Sequence, residues 1–140
     1  LLDLYAQPSQ QNNPLAQVHE LYKEAQPYLA TRDSAGLAFA ERLEKLAAEQ
    51  DDPTAVRYAV LSRYKVLKNY DRYRTVDGIK DDLELLESTR DTILSDAYSL
   101  YSGLLTNLGE FPDGLKYAFG RWVLTARWAM GTGRLETFLR

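Results

Sequence analysis

Hydrophobic residues recur along most of this chain every three or four positions, the spacing that places them on one face of an amphipathic helix. The first stripe begins after Pro14, and Pro27 lies late in it, where a proline is expected to kink or end the helix. No segment alternates between apolar and polar residues as a half-buried strand does. The pattern therefore predicts an all-α chain, whose first stripe consists of Leu15, Val18, Tyr22, Ala25 and Leu29.

Capping residues divide the pattern into six helices. Asp33 opens the second helix and Asp52-Pro53 opens the third. An aspartate at a helix start accepts a hydrogen bond from a first-turn amide, and a proline at the first helical position removes no hydrogen bond of the helix. Asp91 opens the fifth helix, and Gly109 ends it as a left-handed cap. The second helix is expected to bury Leu37, Ala40, Leu43 and Ala47.

Between the third and fifth helices we predict a turn over residues 71–77 and then a short fourth helix. That helix is expected to turn Ile79, Leu83 and Leu86 inward. The sixth helix begins at Pro112-Asp113 and runs to about Met130, where Gly131-Thr132-Gly133 stops it and a last helix begins at Arg134. We divide the chain into a loose lead-in (1–13), a helical domain (14–130) and the start of a further helix or linker to a missing downstream region (131–140).

Composition narrows the class of protein. A chain of 140 residues with a net charge of −3 and a pI near 5.2 argues against nucleic-acid binding, which requires a basic face. No apolar run is long enough to span a membrane, and the absence of cysteine excludes disulfides and thiolate chemistry. Because the chain begins without methionine, we interpret it as a segment of a larger protein.

Residues suited to catalysis are few. His19 is the single histidine, which excludes a carboxylate bundle with two Glu-x-x-His pairs, and Gly131-Thr132-Gly133 lacks the Lys and Ser/Thr of a phosphate loop. The acidic residues alternate with basic ones, as on a solvated helix face. We therefore predict no catalytic residue, metal site or cofactor in this segment, and leave open a catalytic output domain downstream.

A phrase of sequence occurs twice. Residues 67–73 read LKNYDRY and residues 77–80 read DGIK, while residues 105–118 read LTNLGEFPDGLKYA. A weaker echo, DSAGL, contains Gly36. A small residue at the start of the second helix of a pair allows a close crossing, and the aromatic after the turn is expected to fill the gap between the helices. The aligned pairs are Ala59 and Ala97, Leu67 and Leu105, Asn69 and Asn107, Tyr73 and Phe111, and Gly78 and Gly114.

This corner resembles the tetratricopeptide repeat family, most closely at Gly109-Glu110-Phe111 followed by Gly114 and Ala118. The resemblance implies an α-solenoid of about three antiparallel helical hairpins. It also implies a non-enzymatic sensory or interaction module of a larger bacterial signalling protein, such as a diguanylate cyclase (GGDEF) or a histidine kinase. The alternative is a scaffold or adaptor that recruits a partner peptide. For a sensor with a membrane anchor beyond either end, periplasm is favoured over cytoplasm.

In that family the first helix of each pair lines a binding groove. The resemblance thus implies a groove for a peptide or small molecule, with asparagine amides gripping its polar groups. The third helix also interleaves cations with tyrosines, either as a face for an anionic or aromatic ligand or as packing between hairpins. The implied groove residues are Tyr58, Lys65, Lys68, Asn69, Ser99 and Asn107.

The sixth helix is apolar on two sides and so requires cover on two sides. One face contains Leu115, Ala118, Phe119, Trp122 and Ala126. The other contains Tyr117, Leu124 and Trp128. We expect either a further hairpin or a homodimer to cover this helix. The predicted interface residues are Tyr117, Trp122, Leu124 and Trp128.

Overall fold

The structure is a computed structural model that describes residues 14–89 and 91–130, with side chains from 15 to 89 and from 91 to 127. Over these residues it contains six α-helices and no strand, which confirms the all-α prediction. The lead-in, the Gly131-Thr132-Gly133 stop and the last helix predicted from Arg134 lie outside the described residues. The helices are α1 (Pro14–Leu29), α2 (Ser34–Gln50), α3 (Pro53–Leu67), α4 (Arg72–Glu87), α5 (Ile93–Asn107) and α6 (Phe111–Met130).

The three aspartates predicted as caps all accept a hydrogen bond from a first-turn amide. The carboxylate of Asp33 accepts from the Ala35 amide at 2.9 Å, and that of Asp52 accepts from the Thr54 amide at 2.8 Å. Asp91 accepts from the Ile93 amide at 3.0 Å. Satisfying amides that have no partner within the helix fixes where each helix begins.

The predicted glycine stop of α5 is also confirmed. Gly109 has a φ of 85°, in the left-handed region that favours glycine. Its amide donates to the Thr106 carbonyl at 3.1 Å, and the next amide donates to the Leu105 carbonyl at 2.8 Å. These two bonds form a Schellman motif, which ends the helix and satisfies its last carbonyls.

The predicted turn over 71–77 is wrong, because α4 begins at Arg72 and runs for 16 residues. The Asp71 carboxylate accepts from the Arg74 amide at 3.1 Å, and the Thr75 hydroxyl donates to the Asp71 carbonyl at 2.7 Å. Thr75 is fully buried, so the inner face of α4 begins one turn before Ile79. The apolar pattern does not reveal the first turn of α4, because the residue buried there is a threonine.

The chain forms two compact units that divide between Gly78 and Ile79, within α4. In the first unit α1, α2 and α3 each pack against the other two. Leu37, predicted to face inward, is 40% exposed, and its neighbour Gly36 is buried instead. The fully buried leucine and valine side chains of this core are Val18, Leu29, Leu43 and Leu61.

In the second unit α5 packs against α6. α5 supplies most of the buried apolar surface there. In α6, Gly114 is buried near the start of the helix. The buried apolar residues of α5 are Ile93, Leu94, Ala97, Leu100, Tyr101, Leu104 and Leu105.

Close helix approach at the repeated glycines agrees with the expectation from the sequence. A Cβ added at Gly36 in α2 would lie 2.5 Å from the Tyr28 carbonyl oxygen of α1. One added at Gly114 in α6 would lie 2.5 Å from Oγ1 of Thr106 in α5, and one at Gly78 would collide with the Tyr64 ring. These contacts support a helical-repeat-like fold in which Gly36 and Gly114 lie early in the second helix of a pair. Gly78, which was expected at the start of its helix, is instead the seventh residue of α4, because that helix begins at Arg72.

Candidate functional site

The predicted groove residues lie in both compact units. Those of α3 and its C-terminal end belong to the first unit, and Ser99 and Asn107 belong to the second. The first set comprises Tyr58, Lys65, Lys68 and Asn69.

Tyr58 belongs to the core of the first unit instead of to an open groove. Its side chain is 3% exposed. Its ring lies 5.1 Å from the His19 ring and 4.9 Å from the Tyr22 ring, which it meets edge to face. Aromatic rings at these distances stabilise a helix contact, here between α1 and α3. The groove prediction is therefore corrected at this position.

Lys65 also links α3 to α1. Its ammonium donates to the side-chain oxygen of Gln26 at 2.7 Å and lies 5.0 Å from the centre of the Tyr22 ring. The Gln26 amide in turn donates to the Tyr22 carbonyl at 2.8 Å. The cation thus has a hydrogen-bond acceptor and an aromatic face within its own unit. Its neighbour Lys68 is half-buried at the end of α3.

Asn69 binds peptide backbone with its side-chain amide, as predicted for a groove asparagine, but this backbone is the end of α1 and the turn that follows it in the same chain. Its side-chain amide donates to the Leu29 and Thr31 carbonyls, both at 2.8 Å. Arg32 donates back to the Asn69 carbonyl at 2.8 Å, and Tyr70 donates its hydroxyl to the Arg32 carbonyl at 2.9 Å. Residues 69 and 70 therefore fix the turn between α1 and α2 to the end of α3. This arrangement explains the asparagine without a ligand.

Other cations and tyrosines of α3 are used in the same way. Arg63 forms an ion pair with Glu44 of α2, and Arg57 is buried. The Tyr64 ring lies against Gly78 of α4. Of the two interpretations of this basic and aromatic helix, the contacts support packing between helices.

In the second unit Ser99 and Asn107 are both exposed on α5. A groove role for these two residues stays a prediction. Over the described part of the chain, no group of three or more histidine, aspartate or glutamate side chains is arranged to hold a metal ion.

One side of α6 is covered by α5. The Tyr117 ring lies 5.5 Å from the Tyr98 ring and 4.7 Å from the Tyr101 ring. A Cβ added at Gly120 would lie 3.2 Å from the Tyr98 ring, so α6 crosses closely here too. Burial and the nearby Glu87 carboxylate, which accepts a hydrogen bond from the phenol, raise the pKa of Tyr98 to about 12. Tyr117, predicted as an interface residue, therefore packs within its own unit.

The other side of α6 carries large apolar side chains in water. Phe111 is 64% exposed, Leu115 72%, Phe119 57% and Trp122 58%. Together with exposed Ala118, these residues form what we call the α6 stripe. At about 100° per residue they share an arc of about 100°, opposite Tyr117 and Gly120. Of the other predicted interface residues, Leu124 is half-buried and the Trp128 side chain lies outside the described residues.

The α6 stripe also corrects the expectation for the aromatic residue after each turn. Phe111 and Tyr73, which is 71% exposed, were expected to fill the gaps between paired helices. Both lie instead in the first turn of the second helix and point outward. Spacing places Phe111 four residues before Leu115, and this was the signal that could have joined it to the stripe.

The three partly exposed aromatic rings and the leucine of the α6 stripe present on the order of 500 Å² of apolar surface, since a fully buried aromatic residue covers about 150–250 Å². Contiguous apolar patches of this size on a monomer are often functional. The α6 stripe is therefore the best candidate site on the described surface.

Comparison of the chain with protein-family models, curated proteins and solved structures yields no match. None of the helices that the structure describes is long and apolar enough to cross a bilayer.

Proposed function

We propose that this chain is a non-enzymatic protein-binding module of the helical-repeat type, and that the α6 stripe is its binding surface. In line with the tetratricopeptide resemblance, we propose that it serves as the sensory or interaction part of a larger bacterial signalling protein of the diguanylate cyclase type. The observation that carries the binding function is the exposure of four large apolar side chains on one face of α6.

The energy available from covering this surface supports the proposal. Burial contributes about 25 cal/mol for each Å² of apolar area, so about 500 Å² corresponds to roughly 12 kcal/mol before opposing terms. Association costs about 4–15 kcal/mol in lost freedom of movement. The stripe alone thus supports reversible binding, and polar contacts around it would decide the affinity.

A partner on the α6 stripe would also bear on signalling. α6 is the last helix that the structure describes, and its opposite side packs on α5. A partner that binds one pose of α6 better than another shifts the population toward that pose. Binding would thereby change the position of α6 for whatever part of the protein follows it.

A photo-crosslinking amino acid at Phe119 tests the binding function in cells that express the whole gene product. We expect a protein adduct after irradiation, because this position lies within the stripe. The matched control is the same amino acid at Asp113, which is exposed on α6 but lies about 170° around the helix from the middle of the stripe. Equal yields at both positions, or no adduct at Phe119, would refute the function.

A further inference from the structure

We infer that the occupant of the α6 stripe is a second copy of the same chain, whose own α6 lies antiparallel across it. This inference rests on the proposed function and names its partner. It differs from the interface predicted from the sequence, because Tyr117 faces α5 while Phe111, Leu115 and Phe119 take part.

Side-chain sizes along α6 favour the antiparallel arrangement. With the two-fold axis between positions 118 and 119, Phe111 of one copy lies level with Ala126 of the other, and Leu115 lies level with Trp122. Ala118 then lies level with Phe119. Two of these three layers place an aromatic ring opposite an alanine, so that ridges of one helix fit grooves of the other. A parallel pair would instead place each ring opposite its own copy.

The area of the stripe is sufficient for a dimer. Two copies would together bury on the order of 1,000 Å², which is about the lower limit for a specific interface. A two-fold contact uses the same patch twice, so a single stripe provides both halves. Every member of the stripe is uncharged, and its centre therefore brings no like charges together. These values predict a reversible dimer.

The absence of native cysteine makes the arrangement directly testable by thiol cross-linking. Ala118→Cys places its thiol beside the two-fold axis, whereas Ala126→Cys places the two thiols about 22 Å apart along the helix, at about 1.5 Å per residue. We expect a short bismaleimide to link Ala118→Cys to its copy efficiently and Ala126→Cys hardly at all. Both changes replace alanine on the same helix, so their reactivities can be compared. Equal cross-linking of the two variants would refute the antiparallel pairing.

Light scattering of the purified chain measures the association itself. We expect the mass to rise with concentration from 16.0 kDa toward twice that value. Leu115→Glu, at a position exposed in the single chain, should fold normally and raise the dimer Kd at least about tenfold, since it places two carboxylates in an apolar contact. Ala48→Glu, an exposed position on α2, makes the same change of charge and should leave the Kd unchanged.

Failure of this inference is distinguishable from failure of the proposed function. A monomeric mass at high concentration, together with a Phe119 photo-adduct to a different protein, would refute the dimer and leave the binding function standing. A monomeric mass without any adduct would refute both. An adduct of twice the mass of the expressed protein, lost in Leu115→Glu and kept in Ala48→Glu, would support both.

Discussion

Replacing Gly114 by alanine tests whether the close crossing of α5 and α6 holds the second unit together. The added Cβ would lie 2.5 Å from Oγ1 of Thr106, 3.2 Å from the Thr106 amide nitrogen and 3.3 Å from the Ser102 carbonyl oxygen. The Thr106 hydroxyl can rotate away only by giving up its 2.8 Å hydrogen bond to that carbonyl. The two backbone atoms remain close in either case.

The expected loss follows from two opposing terms. Overpacking at a close contact costs about 1–3 kcal/mol. Alanine in place of glycine within a helix returns up to about 1 kcal/mol. We therefore expect Gly114→Ala to lower the free energy of unfolding of the second unit by up to about 2 kcal/mol, measured by urea denaturation followed by circular dichroism.

Gly103 provides the matched control, because it lies in the middle of α5 in the same unit. A Cβ there would meet no described atom within 4 Å, so Gly103→Ala should raise the free energy of unfolding by about 0.5–1 kcal/mol. Adding Thr106→Ala to Gly114→Ala removes the hydroxyl from the contact and should recover part of the loss, with a coupling of about 0.5–1 kcal/mol. If Gly114→Ala stabilises the protein as much as Gly103→Ala does, α5 and α6 do not cross closely at Gly114.

Two further predictions concern single side chains. Asn69→Ala should lower the free energy of unfolding by about 1–3 kcal/mol, because two backbone carbonyls lose their donor, whereas the aligned Asn107→Ala should change it by less than about 0.5 kcal/mol; equal losses would contradict this assignment. Because the pKa of Tyr98 is raised from 10.0 to about 12, its contribution to stability should be complete below pH 10 and disappear as pH rises toward 12. The melting temperature should therefore fall less steeply between pH 10 and pH 12 for Tyr98→Phe than for the unchanged chain. Equal falls in melting temperature would contradict the raised pKa of Tyr98.

The features that could be predicted from the sequence are those decided by residues close together in the chain. An aspartate two residues before an amide determines a cap, and Gly109 determines its own left-handed stop. Gly36 and Gly114 predicted close crossings for a similar reason, because each lies within a few residues of a turn. α4 is the exception, since its first turn depends on burying Thr75, and a polar residue gives no apolar signal.

The roles of the predicted groove residues on α3 and at its C-terminal end could not be derived from the sequence, because their residue types serve binding and packing equally well. Tyr58, Lys65 and Asn69 each contact α1 or the turn after it, at sequence separations near 40 residues. Nothing within α3 reveals those partners. The repeat alignment was also misleading here, because Asn69 and Asn107 occupy equivalent places yet one fixes a turn and the other is exposed. The repeat alignment therefore predicts where paired helices meet, but it does not predict what the aligned side chains contact.

The two apolar sides of α6 connect the fold to the function. The sequence predicts that this helix requires two covering surfaces, and α5 supplies one of them, where the rings of Tyr98 and Tyr101 lie against the Tyr117 ring of α6. The α6 stripe, from Phe111 to Trp122, then remains in water and extends over about three helical turns. Loss of stability from Gly114→Ala would report on the covered side alone, because that residue contacts only α5 among its nearest neighbours. Loss of association from Leu115→Glu would report on the other side, so the folding role and the binding role of one helix can be measured separately.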